Sequence, residues 1–236
     1  MMRDVSHHMI RISSAEEFKR LLEALAFDVG SANIHWRLYR DLHAALGEDD
    51  RTVWHQSQTF WHLTLNAHTF AALQSLAQAY DQNQNSLHLL SWLRTIEAKR
   101  HLFSVDEFKK RLAGNAFVES LAEYARTPDP TQLAADIAAC SISDPKVKAL
   151  VLHRGNITAH RNARTIAVGR PLADEFALSV ADLEALLDRA HEIVNRYSNL
   201  LAAITYSRQM IGMMITSTSS SASKRQLQPR GVTCDG

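Results

Sequence analysis

Along most of the chain apolar residues recur at the three- and four-residue spacing of one helical face, and polar caps stand ahead of several of these runs. Ser13-Ser14-Ala15-Glu16-Glu17 holds two overlapping capping boxes, Ser13 with Glu16 and Ser14 with Glu17. Phe18, Leu21, Leu22 and Leu25 follow at core-facing spacing. Gly30 is a place for this first helix to kink before it resumes through Ile34, Leu38 and Leu42 and ends near Gly47. A second helix is predicted from about Asp50 to Tyr80, with Trp54, Trp61, Leu65, Ala72 and Leu76 on one face. The polar run Asp81-Gln82-Asn83-Gln84-Asn85 reads as a loop, after which Ser86 caps a helix carrying Leu89, Leu93 and Ile96 and ending near Phe103.

Ser104-Val105-Asp106-Glu107 starts a further helix toward Arg126, and Pro128 and Pro130 break the chain behind it. A short helix over Gln132 to Cys140 is followed by Asp144 as cap and Pro145 in the first turn of another, which runs to about Ile166. Ser179 and Asp182 open the last long helix, with Leu183, Leu186, Leu187, Ile193, Val194, Leu200 and Leu201. No segment alternates with period two beside hairpin turn chemistry. The pattern therefore predicts an all-α protein, a helical bundle with long antiparallel helices and mostly short connections. The bundle is expected over residues 10–212. A flexible, disordered tail is expected over 213–236, Ser/Thr-rich and then basic, too polar to order itself.

Composition adds bounds to this picture. The chain has 236 residues, 46% hydrophobic and 22% charged, the balance of an ordinary globular protein. It is long enough to bury a core without disulfide or metal staples. Cys140 and Cys234 are far apart in sequence and form no CxxC knuckle, which points to a reducing compartment. The start of the chain lacks the apolar core of a signal peptide. The most apolar stretch, Leu200 to Ile215, is interrupted by Tyr206, Ser207, Arg208 and Gln209 and is too short to span a bilayer. A cytoplasmic protein without membrane contact is the expectation. A net charge of +1 gives no global field for nucleic acid, so any RNA contact must come from a local patch.

One segment stands out chemically, His153-Arg154-Gly155-Asn156-Ile157-Thr158-Ala159-His160. On a regular helix Arg154 and His160 lie about 120° apart by the shorter way round, so they do not share a face. His153, Asn156 and His160 come closer to doing so, at spacings of three and four. Arg154 joins them by reaching round, by deformation of the helix at Gly155, or through a second subunit. Neutral His160 can take a proton from an RNA 2′-hydroxyl near neutral pH. Arg154 can stabilise charge developing on the attacked phosphate, and Asn156 can bond the phosphate or orient the His. The scheme needs no metal ion and no cofactor.

This segment resembles the HEPN superfamily motif, an Arg and a His separated by four to six residues. The wider chain is similar to the abortive-infection AbiU-like branch of that superfamily. The closer likeness lies in Trp61-His62-Leu63-Thr64-Leu65-Asn66-Ala67-His68-Thr69-Phe70, in Tyr80-Asp81 followed by Ser86-Leu87-His88-Leu89-Leu90, and in the motif helix. It covers roughly Ile10 to Gly212. The resemblance implies a compact bundle that often dimerises with the two motifs facing each other across the interface. It also implies metal-independent RNA cleavage in active members, and roles in phage defence or toxin–antitoxin systems beside an antitoxin or regulatory protein. Arg154 and His160 are the positions that match. The chain departs from the pattern in placing Gly155 directly after the Arg, where a polar residue is common, with Asn156 one place later. Asn162 stands where some HEPN toxins carry a modifiable Tyr.

Blander readings compete. Arg154 and His160 can be ordinary surface charges, and Arg154, Arg161, Arg164 and Arg170 form either a phosphate-contacting patch or a solvated face beside Asp174 and Glu175. Trp54 and Trp61 can stack bases, but their shared face favours core packing. His62, His68, His88 and His101 show no metal-ligand spacing, and Asp188-x-x-His191 lacks the matching half of a di-iron motif. The leading expectation is a dimeric HEPN-type ribonuclease using Arg154, His160 and Asn156. The alternative is a catalytically silent HEPN bundle that binds protein or RNA as a scaffold, and a third reading is a helical structural protein.

Overall fold

The computed structural model describes residues 9–48, 55–154 and 178–208. The chain divides into a unit over Met1–Tyr206 and a C-terminal unit over Ser207–Gly236. The second is described only at Ser207 and Arg208, so the tail expected over 213–236 lies outside the described residues. Within the first unit every regular element among the described residues is helical, in agreement with the all-α pattern.

Helix α1 spans Ala15–Glu48 and α2 spans Gln58–Ala79, and the two pack along each other. The start of α1 keeps half of the Ser14–Glu17 box, while Ser13 is met by Glu17 and not by the expected Glu16. Ser14 Oγ accepts from the Glu17 backbone N–H (3.1 Å), while the Glu17 carboxylate reaches back to the Ser13 N–H (2.7 Å). The kink expected at Gly30 does not occur. Ala26, Val29, Ala32, Asn33 and Trp36 keep one buried face running through that point, and packing holds the helix continuous. Of the stripe predicted on α2, Leu65, Ala72 and Leu76 are buried and Trp61 is half-buried, while Trp54 lies outside the described residues.

Helix α3 spans Leu89–Ala98 and continues after Lys99 into a 3-10 turn, Arg100–Phe103. Its cap is His88 and not the expected Ser86. Buried His88 accepts the Ser91 N–H at Nδ1 (3.2 Å), and Ser91 Oγ accepts the His88 N–H (3.1 Å), closing a reciprocal box. Ser86 instead donates to Asp81 (2.9 Å).

The helix predicted from Ser104 to Arg126 is two short ones, α4 (Val105–Arg111) and α5 (Val118–Ala122). Between them Gly114 takes φ +93°, a left-handed turn that ends helical propagation. Helix α6 spans Pro130–Ala139 behind Asp129 as cap, α7 spans Pro145–His153 behind Asp144, and α8 spans Val180–Ala202 behind Ser179. Ala203 ends α8 in the left-handed region (φ 54°), its N–H turned back onto Asn199 and Ser198.

The centre of the core is aromatic. Phe18 of α1 stacks on Trp92 of α3 (centroids 5.6 Å), and Phe103 meets Phe18 edge-on (5.8 Å). Tyr197 of α8 meets Trp92 in the same way (5.8 Å), so α1, α3, the 3-10 turn and α8 converge on one cluster. Pairs of this kind add roughly 0.5–1.5 kcal/mol beyond area burial. Between α6 and α8, buried Asp136 accepts from Arg196 Nη1 (2.5 Å), Tyr197 Oη (2.8 Å) and Gln132 Nε2 (3.0 Å). No described helix is long and apolar enough to cross a membrane.

Candidate functional site

The site is built on the C-terminal end of α7 and the loop that leaves α2. Asp144 caps α7 by accepting from the Lys146 and Val147 N–H groups (2.9 and 3.1 Å). Arg189 of α8 ties that cap down, with Nη1 3.1 Å from Asp144 Oδ2 and 2.7 Å from the carbonyl of Ala139. Lys146 also pairs with Asp182 at the start of α8. Buried Val147 and Leu150 face the core, which fixes the rotation of α7 about its axis.

That rotation decides where Arg154 goes. Its backbone is still helical (φ −57°, ψ −50°). The guanidinium turns in toward the α2 exit, with Nη1 3.8 Å from Asp81 Oδ1. The side chain is 34% exposed, and among the described residues its buried Nε has no hydrogen-bond partner.

Asp81 is itself a built feature. Oδ1 accepts the N–H groups of Gln82 and Asn83 (2.8 and 3.3 Å), and Oδ2 accepts Ser86 Oγ (2.9 Å). Burial acts to raise its pKa, but these hydrogen bonds and the charge of Arg154 outweigh burial and hold it below the ordinary Asp value. The carboxylate is therefore ionised at neutral pH. The loop around it is pinned on both sides. Gln82 Nε2 donates to the carbonyls of Tyr80 and Cys140 (2.9 and 3.1 Å), and Tyr80 Oη donates to Leu186 (3.0 Å). His88 accepts at Nδ1, so its Nε2 carries the proton and donates to the Asn83 carbonyl (3.2 Å). Asp81 stood in the sequence as a polar loop residue. The signal it did carry was its place in the Tyr80-Asp81 pair of the AbiU-like pattern.

The family model described as AbiU2, an HEPN model, matches residues 15–216, which takes in every described helix and the Arg154 segment. The chain belongs to the AbiU2 family of HEPN proteins. Comparison with curated proteins and with solved structures returns no match. The protein is thus an abortive-infection-associated HEPN domain by family, with an all-α bundle as its fold.

Of the residues expected to carry chemistry in this AbiU2-family chain, Arg154 is placed beside Asp81. Asn156 and His160 lie outside the described residues, as do Arg161, Arg164 and Arg170. The histidines singled out in the sequence separate by role. His88 is a buried cap, His62 and His101 are exposed, and His68 faces His35 of α1 with the two Nδ1 atoms 2.9 Å apart. Asp188 is exposed and His191 bonds Asn195 (2.8 Å). Among the described residues no three His, Cys, Asp or Glu side chains converge as a metal cluster. A cavity of about 490 Å³, lined by Tyr39, His43, His55, His62, Leu65 and Asn66, lies toward the start of α2, at the opposite end of that helix from Asp81.

Proposed function

We propose that this AbiU2-family protein is a metal-independent endoribonuclease of the HEPN type. His160 serves as general base, Arg154 as transition-state stabiliser and Asn156 as a supporting polar group. The observation that carries the reading is the state of Arg154. It is held by an ionised carboxylate on one nitrogen while its buried Nε has no hydrogen-bond partner among the described residues. A buried donor without a partner is disfavoured by roughly 1–3 kcal/mol, and the Arg154 side chain, 34% exposed, would turn that donor outward to meet a phosphate oxygen.

In the reaction His160 removes the proton of a 2′-hydroxyl. The 2′-oxygen attacks the adjacent phosphorus, and the bond to the 5′-oxygen of the next nucleotide breaks, that oxygen taking a proton from solvent. Arg154 meets the charge gathering on the phosphate. The protein works in the bacterial cytoplasm as a homodimer with its two motifs facing each other, in phage defence by abortive infection or as the toxin of a toxin–antitoxin pair. A silent HEPN scaffold is favoured instead by Gly155, which stands where a polar residue often follows the Arg.

The test is cleavage of RNA in EDTA by wild type beside Arg154→Ala and His160→Ala, each checked for helix content and mass. Loss of about 100-fold or more in both folded variants supports the nuclease. A wild type that cuts nothing, or variants that cut as well as wild type, overturns it.

A further inference from the structure

Helix α2 carries no Asp, Glu, Lys or Arg over its 22 residues, and its apolar side chains lie on both sides. A helix with apolar rows on two opposite faces is ordinarily covered on both. Among the described residues only one side is covered. Leu65, Ala72 and Leu76 face the core, while Phe60, Leu63 and Phe70 are 56%, 62% and 54% exposed. At 100° per residue Phe60, Leu63, Ala67 and Phe70 fall within about 80° of one another, diametrically opposite the buried face. Exposed apolar residues scattered singly need no explanation; an aligned row on an uncharged helix does.

We infer that this row is a self-association surface on which α2 of a second copy packs antiparallel, Phe60 against Phe70 and Leu63 against Ala67. The spacing argues for a second copy. Positions 60 and 70, and 63 and 67, are each equidistant from position 65, so the row is self-complementary about a two-fold axis there. In each layer an aromatic meets an aromatic, or a large residue meets a small one. With no Asp, Glu, Lys or Arg on the helix, two identical copies bring no permanent like charges together. The three side chains offer about 300 Å² of apolar surface per copy, against about 800 Å² per partner in a standard interface. The flanking uncharged residues, among them Thr59, Asn66 and Gln74, supply the polar rim.

This contact is distinct from a motif-to-motif dimer. Asp81 lies beyond the C-terminal end of α2, so antiparallel pairing about position 65 puts the two Arg154–Asp81 pairs on the order of 48 Å apart by helix rise. A chain with both contacts has two different two-fold interfaces, which close into a tetramer or continue as a filament.

The full-length protein is examined by sedimentation equilibrium as wild type and as Leu63→Glu/Phe70→Glu. The expected result is a halving of the assembly's mass with helix content unchanged, whether wild type begins as dimer or tetramer. Oxidative cross-linking of Phe60→Cys/Phe70→Cys, in a Cys234→Ser background, is a second readout that does not rely on the charged variant folding. The double variant is expected to form a disulfide-linked species, and each single variant is not, because identical positions lie about 15 Å apart along the axis. A monomeric wild type, a mass unmoved by the two glutamates, or single variants that cross-link as well as the double overturns the inference. RNA cleavage is read separately, so the failure of one proposal does not imply failure of the other.

Discussion

The guanidinium of Arg154 lies 3.8 Å from the carboxylate of Asp81, and this contact joins the end of the motif helix to the loop that leaves α2. Arg154 owes its place to helix packing, and Asp81 owes its place to its own loop. Arg154 is aimed by the rotation of α7, which Val147, Leu150 and the Asp144–Arg189 pair impose. Asp81 is aimed by two backbone N–H groups and Ser86.

Asp81→Asn keeps the shape and removes the charge. Both side chains are partly exposed, so the ion pair itself contributes at most about 1 kcal/mol. Thermal unfolding is expected to move only a few degrees. RNA cleavage is expected to fall by at least about tenfold, because the guanidinium loses the group that orients it. A cleavage rate equal to wild type would show that Asp81 organises the loop alone.

His68 gives a sign for pH dependence. Burial first, and then neighbouring His35, lower its pKa below the ordinary value of 6.5. A histidine depressed in the folded state contributes stability that is complete above the unfolded pKa and is lost as pH falls through the folded one. The α1–α2 contact should therefore weaken on acidification from about pH 7 toward 5, as protonation sets two donors against each other. Melting temperatures at pH 7.5 and 5.5 check this, and His68→Gln is expected to show a smaller drop between them than wild type.

Asp136→Ala removes one carboxylate and strands three donors. Arg196, Tyr197 and Gln132 all lose their acceptor, two of them at a buried or half-buried position. The loss is expected at about 3 kcal/mol in urea unfolding, within the range for breaking a buried ion pair. A change below about 1 kcal/mol would mean that water replaces the carboxylate at little cost.

Gly30→Ala should stabilise the protein. The position is inside α1, and a Cβ built there meets nothing within 4 Å. Alanine exceeds glycine in a helix interior by roughly 0.5–1 kcal/mol, partly through the unfolded chain. A higher urea midpoint at unchanged slope is the expected reading.

What the sequence determined alone was local and periodic. The helix start at Ala15, the proline-led starts behind Asp129 and Asp144, the start of α8 behind Ser179 and the buried stripe of α2 were legible, because caps and amphipathic spacing act over one or two turns. Arg154 and its family were legible as a motif, since identity and spacing are sequence properties. The rest depended on helix packing or on turn geometry that apolar spacing does not encode. The straight path through Gly30 comes from the buried face around it, and the His88 cap from a tautomer set by Asn83. The break at Gly114 needed a left-handed turn that no periodicity announces. The same holds for the Asp81 anchor and for the exposed row on α2. Apolar spacing tells which residues share a face, but only the packing of whole helices decides which of two apolar faces is covered and which is left to meet another surface.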